Sequence, residues 1–333
     1  MAKITIIGAG GFGLALAINF NKYKHSVCVY EKFDFVVDEI NKTRKNELKL
    51  PGVDIPPEIV VTNDIKVCDN ANIIIFSVPT FCLRESLIDV KPYINPQTIL
   101  VNTSKGLDSQ TYVRMSEIMN EIIPENKSVV LSGPSHAEEV ARFIPTAVVA
   151  ASTCKEAAVK VQKELSNELF RIYYNDDVVG CELGGALKNI IAVAAGICDG
   201  LKCGDNTKAA LMTRGITEIA RLGMALGAKQ ATFAGLTGIG DLIVTCTSMH
   251  SRNHRAGILI GSGVSPTDAV KQIGTVEGFN CTKAAYALSK QTGVSMPIVE
   301  QCYNILFEGQ KPLDAVYALM ERPAKPEVEE TFI

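Results

Sequence analysis

From Lys3 to about Asn175, short apolar runs rich in β-branched residues alternate with segments of helical periodicity; beyond Asp177 the runs cease and spacings of three and four take over. The runs predict strands at 3–7, 26–31, 59–62, 72–78, 98–103, 128–132 and 146–151, with another at 170–174. Several, such as Ile73-Ile74-Ile75-Phe76, are apolar throughout, as strands buried on both faces are. Strand–helix alternation of this kind predicts an α/β domain with a doubly wound, mostly parallel sheet. An all-helical C-terminal domain should follow, with helices over 206–226 and 282–293; in the first, Ala209, Met212, Ile216, Ile219, Ala220 and Gly223 trace one apolar stripe. The change in texture sets the domains at 1–179 and 180–333. No Pro- or Ser-rich linker stands at 178–180, so the two are expected to pack tightly and share a cleft. The tail from Arg322 to Ile333, proline-interrupted and acidic, is expected to be loosely ordered.

The first strand runs straight into Gly8-Ala9-Gly10-Gly11-Phe12-Gly13 and then into Leu14-Ala15-Leu16-Ala17-Ile18, a good helix opening. A lone GxGxxG is weak, but strand, turn and helix in this order are what a dinucleotide pyrophosphate requires. Gly8 permits the turn, Gly10 admits the phosphates, Gly13 lets helix and strand pack, and the helix N-terminus faces the anion. The sheet is therefore read as Rossmann-like, with residues 1–179 as the dinucleotide-binding domain and 180–333 as the substrate-binding and catalytic domain. Glu31, at the end of the second strand, suits the ribose hydroxyls of NAD and would repel the 2′-phosphate of NADP; Lys32 beside it works the other way.

Composition narrows the partners. Over 333 residues, 47% hydrophobic content supports a well-filled core, and a net charge of −3 lacks the positive field that nonspecific nucleic-acid or anionic-membrane binding needs. Ten cysteines without a CxxC pair read as reduced thiols, which with the absence of a leader pattern at the first strand indicates a cytoplasmic protein. No apolar stretch looks long and charge-free enough to span a bilayer. The four histidines supply no metal set, and neither a Ser/His/Asp arrangement nor a Walker motif occurs, so no metal is expected.

Polar residues just past the strand ends are the first candidates for ligand contact: Pro79-Thr80, Asn102 to Gly106 with Lys105, and Ser132 to His136 with Gly133 and Ser135. Lys105 suits an anionic substrate there, although a surface lysine is the plainer alternative. In the helical half, Lys188 and Asn189 are the polar exceptions in the otherwise apolar or small run 183–198. Partial burial lowers the pKa of an ammonium, which fits Lys188 for proton transfer; a snorkelling lysine is the alternative. Further on, Gly235 to Thr245 sets Asp241 after a glycine-rich loop, and Ser251-Arg252-Asn253 offers a guanidinium beside an amide, a suitable grip on phosphate.

Taken together these motifs resemble the soluble bacterial-type NAD(P)-dependent glycerol-3-phosphate dehydrogenases along nearly the whole chain. The resemblance is carried by Gly8 to Gly13, Ser104-Lys-Gly-Leu107, Ser132-Gly-Pro-Ser-His-Ala137, Glu182 through Lys188-Asn189, Asp199-Gly-Leu201, Thr213-Arg-Gly215, Gly238-Ile-Gly-Asp241-Leu, Ser251-Arg-Asn253 and Val276-Glu-Gly278. It implies that Lys188 is the acid/base, with Lys105 and Asp241 also at the catalytic centre. Lys105, Gly133, Ser135, Lys188, Asn189, Asp241, Thr245, Ser251, Arg252 and Asn253 would line the substrate site. Gly8, Gly10, Gly11, Phe12, Gly13, Glu31, Lys105, Ala137, Arg252, Thr275 and Glu277 would touch NAD or NADP. It further implies interconversion of dihydroxyacetone phosphate and sn-glycerol 3-phosphate, supply of phospholipid synthesis, and a homodimer. Two rivals remain: a dehydrogenase of hydroxy or sugar acids, for which the Arg252-Asn253 grip would be out of place, and a dinucleotide-sensing regulator, which would not need Lys188.

Overall fold

The structure is a computed structural model and describes residues 1–324, 326 and 327. Two compact units divide the chain: Met1–Asp108 with Val113–Glu182, and Ser109–Tyr112 with the residues from Leu183 onward.

The first unit holds eight strands: β1 (Lys3–Ile7), β2 (Ser26–Tyr30), β3 (Val60–Thr62), β4 (Ile73–Phe76), β5 (Ile99–Asn102), β6 (Ser128–Ser132), β7 (Thr146–Ala151) and β8 (Phe170–Asn175). They form one sheet in the order β3-β2-β1-β4-β5-β6-β7-β8. Its helices are α1 (Gly11–Lys22), α2 (Asp34–Thr43), α3 (Leu83–Val90), α4 (Met115–Ile122), α5 (Ala137–Ala141) and α6 (Lys155–Leu165). Alternate residues of each strand feed opposite layers: Ile4, Ile6, Ile73 and Ile75 pack with Leu14 and Ala17 of α1, whereas Ile7, Ile74 and Phe76 pack with Leu83 and Leu87 of α3. Strand order reverses between β1 and β4, both parallel neighbours, so the glycine loop after β1 lies at the switch point where such sheets bind ligands.

One pairing departs from the parallel pattern. β7 runs antiparallel to β6, then pairs parallel with β8. Between β6 and β7 the chain forms only the five-residue helix α5 and returns in the opposite direction, since a parallel return usually needs a full crossover helix.

The all-helical C-terminal part comprises α7 (Val178–Gly200), α8 (Asp205–Ala225), α9 (Gln230–Phe233), α10 (Asp241–Thr247), α11 (Arg252–Gly261), α12 (Pro266–Ile273), α13 (Glu277–Thr292), α14 (Pro297–Phe307) and α15 (Pro312–Met320), with a π-helical turn at Leu236–Gly240 before α10. The division between the units falls inside α7, after Glu182, so it is a point within one continuous helix. By length and composition α7 also meets the requirement for a membrane span, contrary to the sequence reading; 94% of its apolar window is buried inside the protein, which makes it a core helix. On α8 the buried face is Leu211, Gly215, Glu218, Ile219, Ala220, Leu222 and Gly223; of the expected stripe Ile219, Ala220 and Gly223 are buried, Met212 and Ile216 half-buried, and Ala209 exposed. The N-terminal part of the stripe departs because Gly215 meets Ile191 of α7, and Glu218 joins the buried face by accepting hydrogen bonds from the Ile298 and Val299 amides at the start of α14. Burial pushes the Glu218 carboxyl up to about 7.

All ten cysteines are unpaired as disulfides, and burial pushes the Cys68, Cys198 and Cys246 thiols up to about 12. In the tail, Lys325 and residues 328–333 lie outside the described residues.

Candidate active site

The glycine loop is shaped by contacts that exclude side chains. Gly8 has φ +104°, and a Cβ there would stand 2.8 Å from the Ser77 carbonyl oxygen; a Cβ on Gly13 would collide with the Gly8 carbonyl; one on Gly11 would lie 2.5 Å from the Lys49 carbonyl oxygen. Gly10 differs: a Cβ there would meet nothing nearer than 3.9 Å, so the space before it is open to a ligand. Gly10 is also the N-cap of α1, with no side-chain cap and no acid in the first turn, which leaves the positive helix end available to an anion. Phe12 is half-buried against the core, and the Ala137 methyl lies 3.6 Å from where a Gly11 Cβ would stand. These residues fit the pyrophosphate of a dinucleotide.

Glu31 closes one side of the loop. Its Oε2 accepts from the Ala9 amide at 2.9 Å and its Oε1 from the Phe33 amide at 3.2 Å. Buried Asn46 donates to the Ala9 carbonyl from the other side at 3.1 Å. Lys32 is turned toward α3, with Nζ 2.5 Å from Glu85 Oε1 and 3.8 Å from Asp89 Oδ2. The Glu85 carboxylate raises the lysine's pKa.

At the ends of β5 and β6 the structure brings Lys105, Gly133 and Ser135 together. Lys105 Nζ donates to the Gly133 carbonyl at 2.7 Å and Ser135 Oγ donates to the same oxygen at 3.0 Å. Asn102, fully buried, bonds both the amide and the carbonyl of Ser104 at 3.1 Å, and this local turn aims the chain into Lys105.

In the helical unit Lys188 is buried, with only 5% of its surface exposed. Its Nζ lies 2.5 Å from Asp241 Oδ1 and 2.6 Å from Thr245 Oγ1, acceptors one turn apart on α10. Gly184 makes the approach possible, since a Cβ there would stand 2.5 Å from the Thr237 carbonyl oxygen in the turn before α10. Snorkelling is thereby excluded: the ammonium is held inside by a carboxylate, as a buried charge must be.

The next residue, Asn189, starts a second chain of bonds. Asn253 Nδ2 donates to Asn189 Oδ1 at 2.9 Å, and Asn253 Oδ1 accepts from the Gly278 amide at 2.9 Å, in the first turn of α13 beside Glu277. Ser251 caps α11, its Oγ accepting from the His254 amide at 3.2 Å. Arg252, the first residue of α11, is exposed. Thr275 is exposed in the link between α12 and α13. No group of three or more metal-ligating side chains occurs among the described residues.

Comparison with known proteins decides the family. Family models described as the N-terminus and the C-terminus of NAD-dependent glycerol-3-phosphate dehydrogenase match residues 3–158 and 177–317. The chain belongs to this family. Glycerol-3-phosphate dehydrogenases (NAD(P)+) of Desulfitobacterium hafniense and of a Thermoanaerobacter species are 50% and 52% identical to it, over 100% and 98% of this chain and 95% and 99% of their own. The crystal structure of glycerol-3-phosphate dehydrogenase from Coxiella burnetii superposes with a TM-score of 0.92 at 38% identity, covering 96% of this chain and 99% of its own. As a member of the glycerol-3-phosphate dehydrogenase family the chain is an oxidoreductase with a Rossmann-like N-terminal domain and a helical C-terminal domain.

Some residues that shape these sites carry no local signal in sequence. Asn46 is one, a polar residue between helix and loop with no motif around it. Asp199 and His254 are another case: Asp199 opens the Asp199-Gly-Leu201 motif and His254 follows Ser251-Arg-Asn253, but nothing in the spacing pairs them.

Proposed function

We propose that this chain interconverts dihydroxyacetone phosphate and sn-glycerol 3-phosphate with NAD(P), and that Lys188 is its acid/base. The observation that carries this reading is the buried ammonium of Lys188 held between Asp241 and Thr245, one residue before Asn189 and its bond to the Arg252-Asn253 turn. When bound, the nicotinamide supplies the hydride to the carbonyl carbon, or takes it back in the reverse direction. Lys188 Nζ gives the matching proton to the carbonyl oxygen, and Asp241 and Thr245 keep the amine oriented through the step. An ammonium in a buried site also stabilises the negative charge that develops on that oxygen.

Arg252 and the N-terminus of α11 hold the phosphate, with Asn189, Ser251 and Asn253 shaping the turn. Lys105, Gly133 and Ser135 complete the substrate contacts from the strand ends. The pyrophosphate sits on Gly10 to Gly13, with Ala137, Thr275 and Glu277 as further cofactor contacts. NAD is favoured over NADP: Glu31 presents a carboxylate at the loop, and Lys32, the cation that would have offset it, is engaged by Glu85. The reading extends to a cytoplasmic homodimer that supplies phospholipid synthesis. Ten cysteines without a disulfide suit a reducing compartment, and Leu313, Tyr317 and Met320, exposed on α15, offer apolar surface to a second copy.

The test is the purified protein with dihydroxyacetone phosphate and either NADH or NADPH, followed by loss of absorbance. Turnover with NADH faster than with NADPH is expected. Failure to oxidise either cofactor overturns the reading.

A further inference from the structure

Helices α7 and α11 meet backbone to backbone. A Cβ on Gly196 would collide with the His254 carbonyl, one on Gly200 with the Ile258 carbonyl, and those on Gly257 and Gly261 with the Val193 and Ile197 carbonyls. The glycines set how closely the two helices approach, with Val193 and Ile197 of α7 packed against Ala256 and Ile260 of α11 beside them. The first turn of α11, where Arg252 stands, lies at the end of this seam and is held by side-chain contacts.

Two polar contacts flank the seam, both made by the first turn of α11. One is Asn253 on Asn189. The other is His254, buried with 3% exposure, whose Nε2 lies 2.7 Å from Asp199 Oδ2 in the last turn of α7. Asn189 and Asp199 stand ten positions apart, about 15 Å of helix axis, so the turn is tied from two directions. Lys208 of α8 fixes Asp199 in its turn, with Nζ 2.7 Å from Oδ1. Burial opposes the charge on Asp199, yet Lys208 and His254 hold its carboxyl below the usual carboxylate range.

Resting on the proposed function above, we infer that Asp199 and His254 are a positioning pair that fixes the distance between the proton donor Lys188 on α7 and the phosphate grip of Arg252 on α11. Without that tie the first turn of α11 can shift by about 1 Å, within the rise of a single residue, and carry the grip with it relative to Lys188. An anchored substrate would then present its carbonyl oxygen out of reach, and a misplacement of about 1 Å costs on the order of 10²-fold in rate. The grip itself, a helix start and one guanidinium, stays whole, so affinity for a bare phosphate should not change.

This separates a positioning role from a merely structural one. The full chain is assayed for kcat/KM with dihydroxyacetone phosphate, for competitive inhibition by inorganic phosphate, and for NADH affinity by fluorescence titration. His254→Ala is expected to lower kcat/KM on the order of 10²-fold while the phosphate inhibition constant and NADH affinity stay unchanged. His254→Gln, whose amide can still donate to Asp199, should restore most of the loss. If His254→Ala does not fold, Asp199→Asn, which keeps shape and loses charge, should show the same split with a decline of about tenfold. A phosphate inhibition constant that worsens in step with kcat/KM overturns the proposal, as does a Gln variant no better than Ala. Absence of phosphate inhibition in the unsubstituted protein overturns the Arg252 assignment itself, before any variant is made.

Discussion

The glycine loop after β1 and the polar cluster on α7 are built in opposite ways. At the loop, the proposed recognition belongs to the backbone: glycines keep side chains away, and an uncapped helix start supplies the charge. On α7 the proposed chemistry belongs to side chains, with Lys188 buried and bonded to Asp241 and Thr245. A backbone site tolerates change around it as long as no atom is added. A side-chain site fails when any one partner is removed, because a buried charge is left without its counterion.

The sharpest way to break this comparison is to remove the lysine. Lys188→Ala should lower kcat by roughly 10²–10⁴-fold, the usual worth of a positioned acid/base, with NADH affinity in a fluorescence titration retained. Loss of NADH binding as well would show that the two sites are not independent; near-normal turnover would remove Lys188 from the chemistry. Next in size, Arg252→Ala should raise KM for dihydroxyacetone phosphate by roughly 10–100-fold, from the loss of charged hydrogen bonds, and leave kcat less affected. An unchanged KM would take Arg252 out of the phosphate site.

How far the sequence led differs between the halves for the same reason. The loop was legible because its glycines and the helix opening lie together within residues 8–18, although Asn46, which holds the Ala9 carbonyl, gave no signal. Lys188 stood out as a charge in an apolar helix, but its partners are 53 and 57 positions away, and no periodicity joins them. The Asp199–His254 contact, 55 positions apart, was hidden in the same way. On α8, hydrophobicity placed the C-terminal half of the buried face, Ile219, Ala220 and Gly223, but missed Glu218 and Gly215, a carboxylate and a glycine that are also buried. Strand direction was not written in the apolar runs either, so the antiparallel β7 came only with the structure.

Two smaller effects sharpen the comparison. Glu31→Ala should narrow the preference for NADH over NADPH by about tenfold, the worth of a charged hydrogen bond, measured as the ratio of the two kcat/KM values; a ratio that does not move would take Glu31 out of cofactor choice. Smallest is Glu218, a structural carboxyl whose pKa is about 7 in the fold against an ordinary 4.5. Because the folded value is the higher, its contribution to stability is full below 4.5 and is lost as pH rises to about 7. Glu218→Gln should therefore lessen the fall in Tm across that window, by a few degrees in thermal scans, and identical slopes would refute the assignment.

The seam between α7 and α11 inverts a common rule of protein engineering. Replacing a helical glycine by alanine is a routine route to a more heat-resistant protein, gaining about 0.4–1 kcal/mol through the unfolded chain. At Gly196, Gly200, Gly257 and Gly261 the added methyl has no place to go. A library seeking thermostability in this enzyme gains by leaving those four positions fixed.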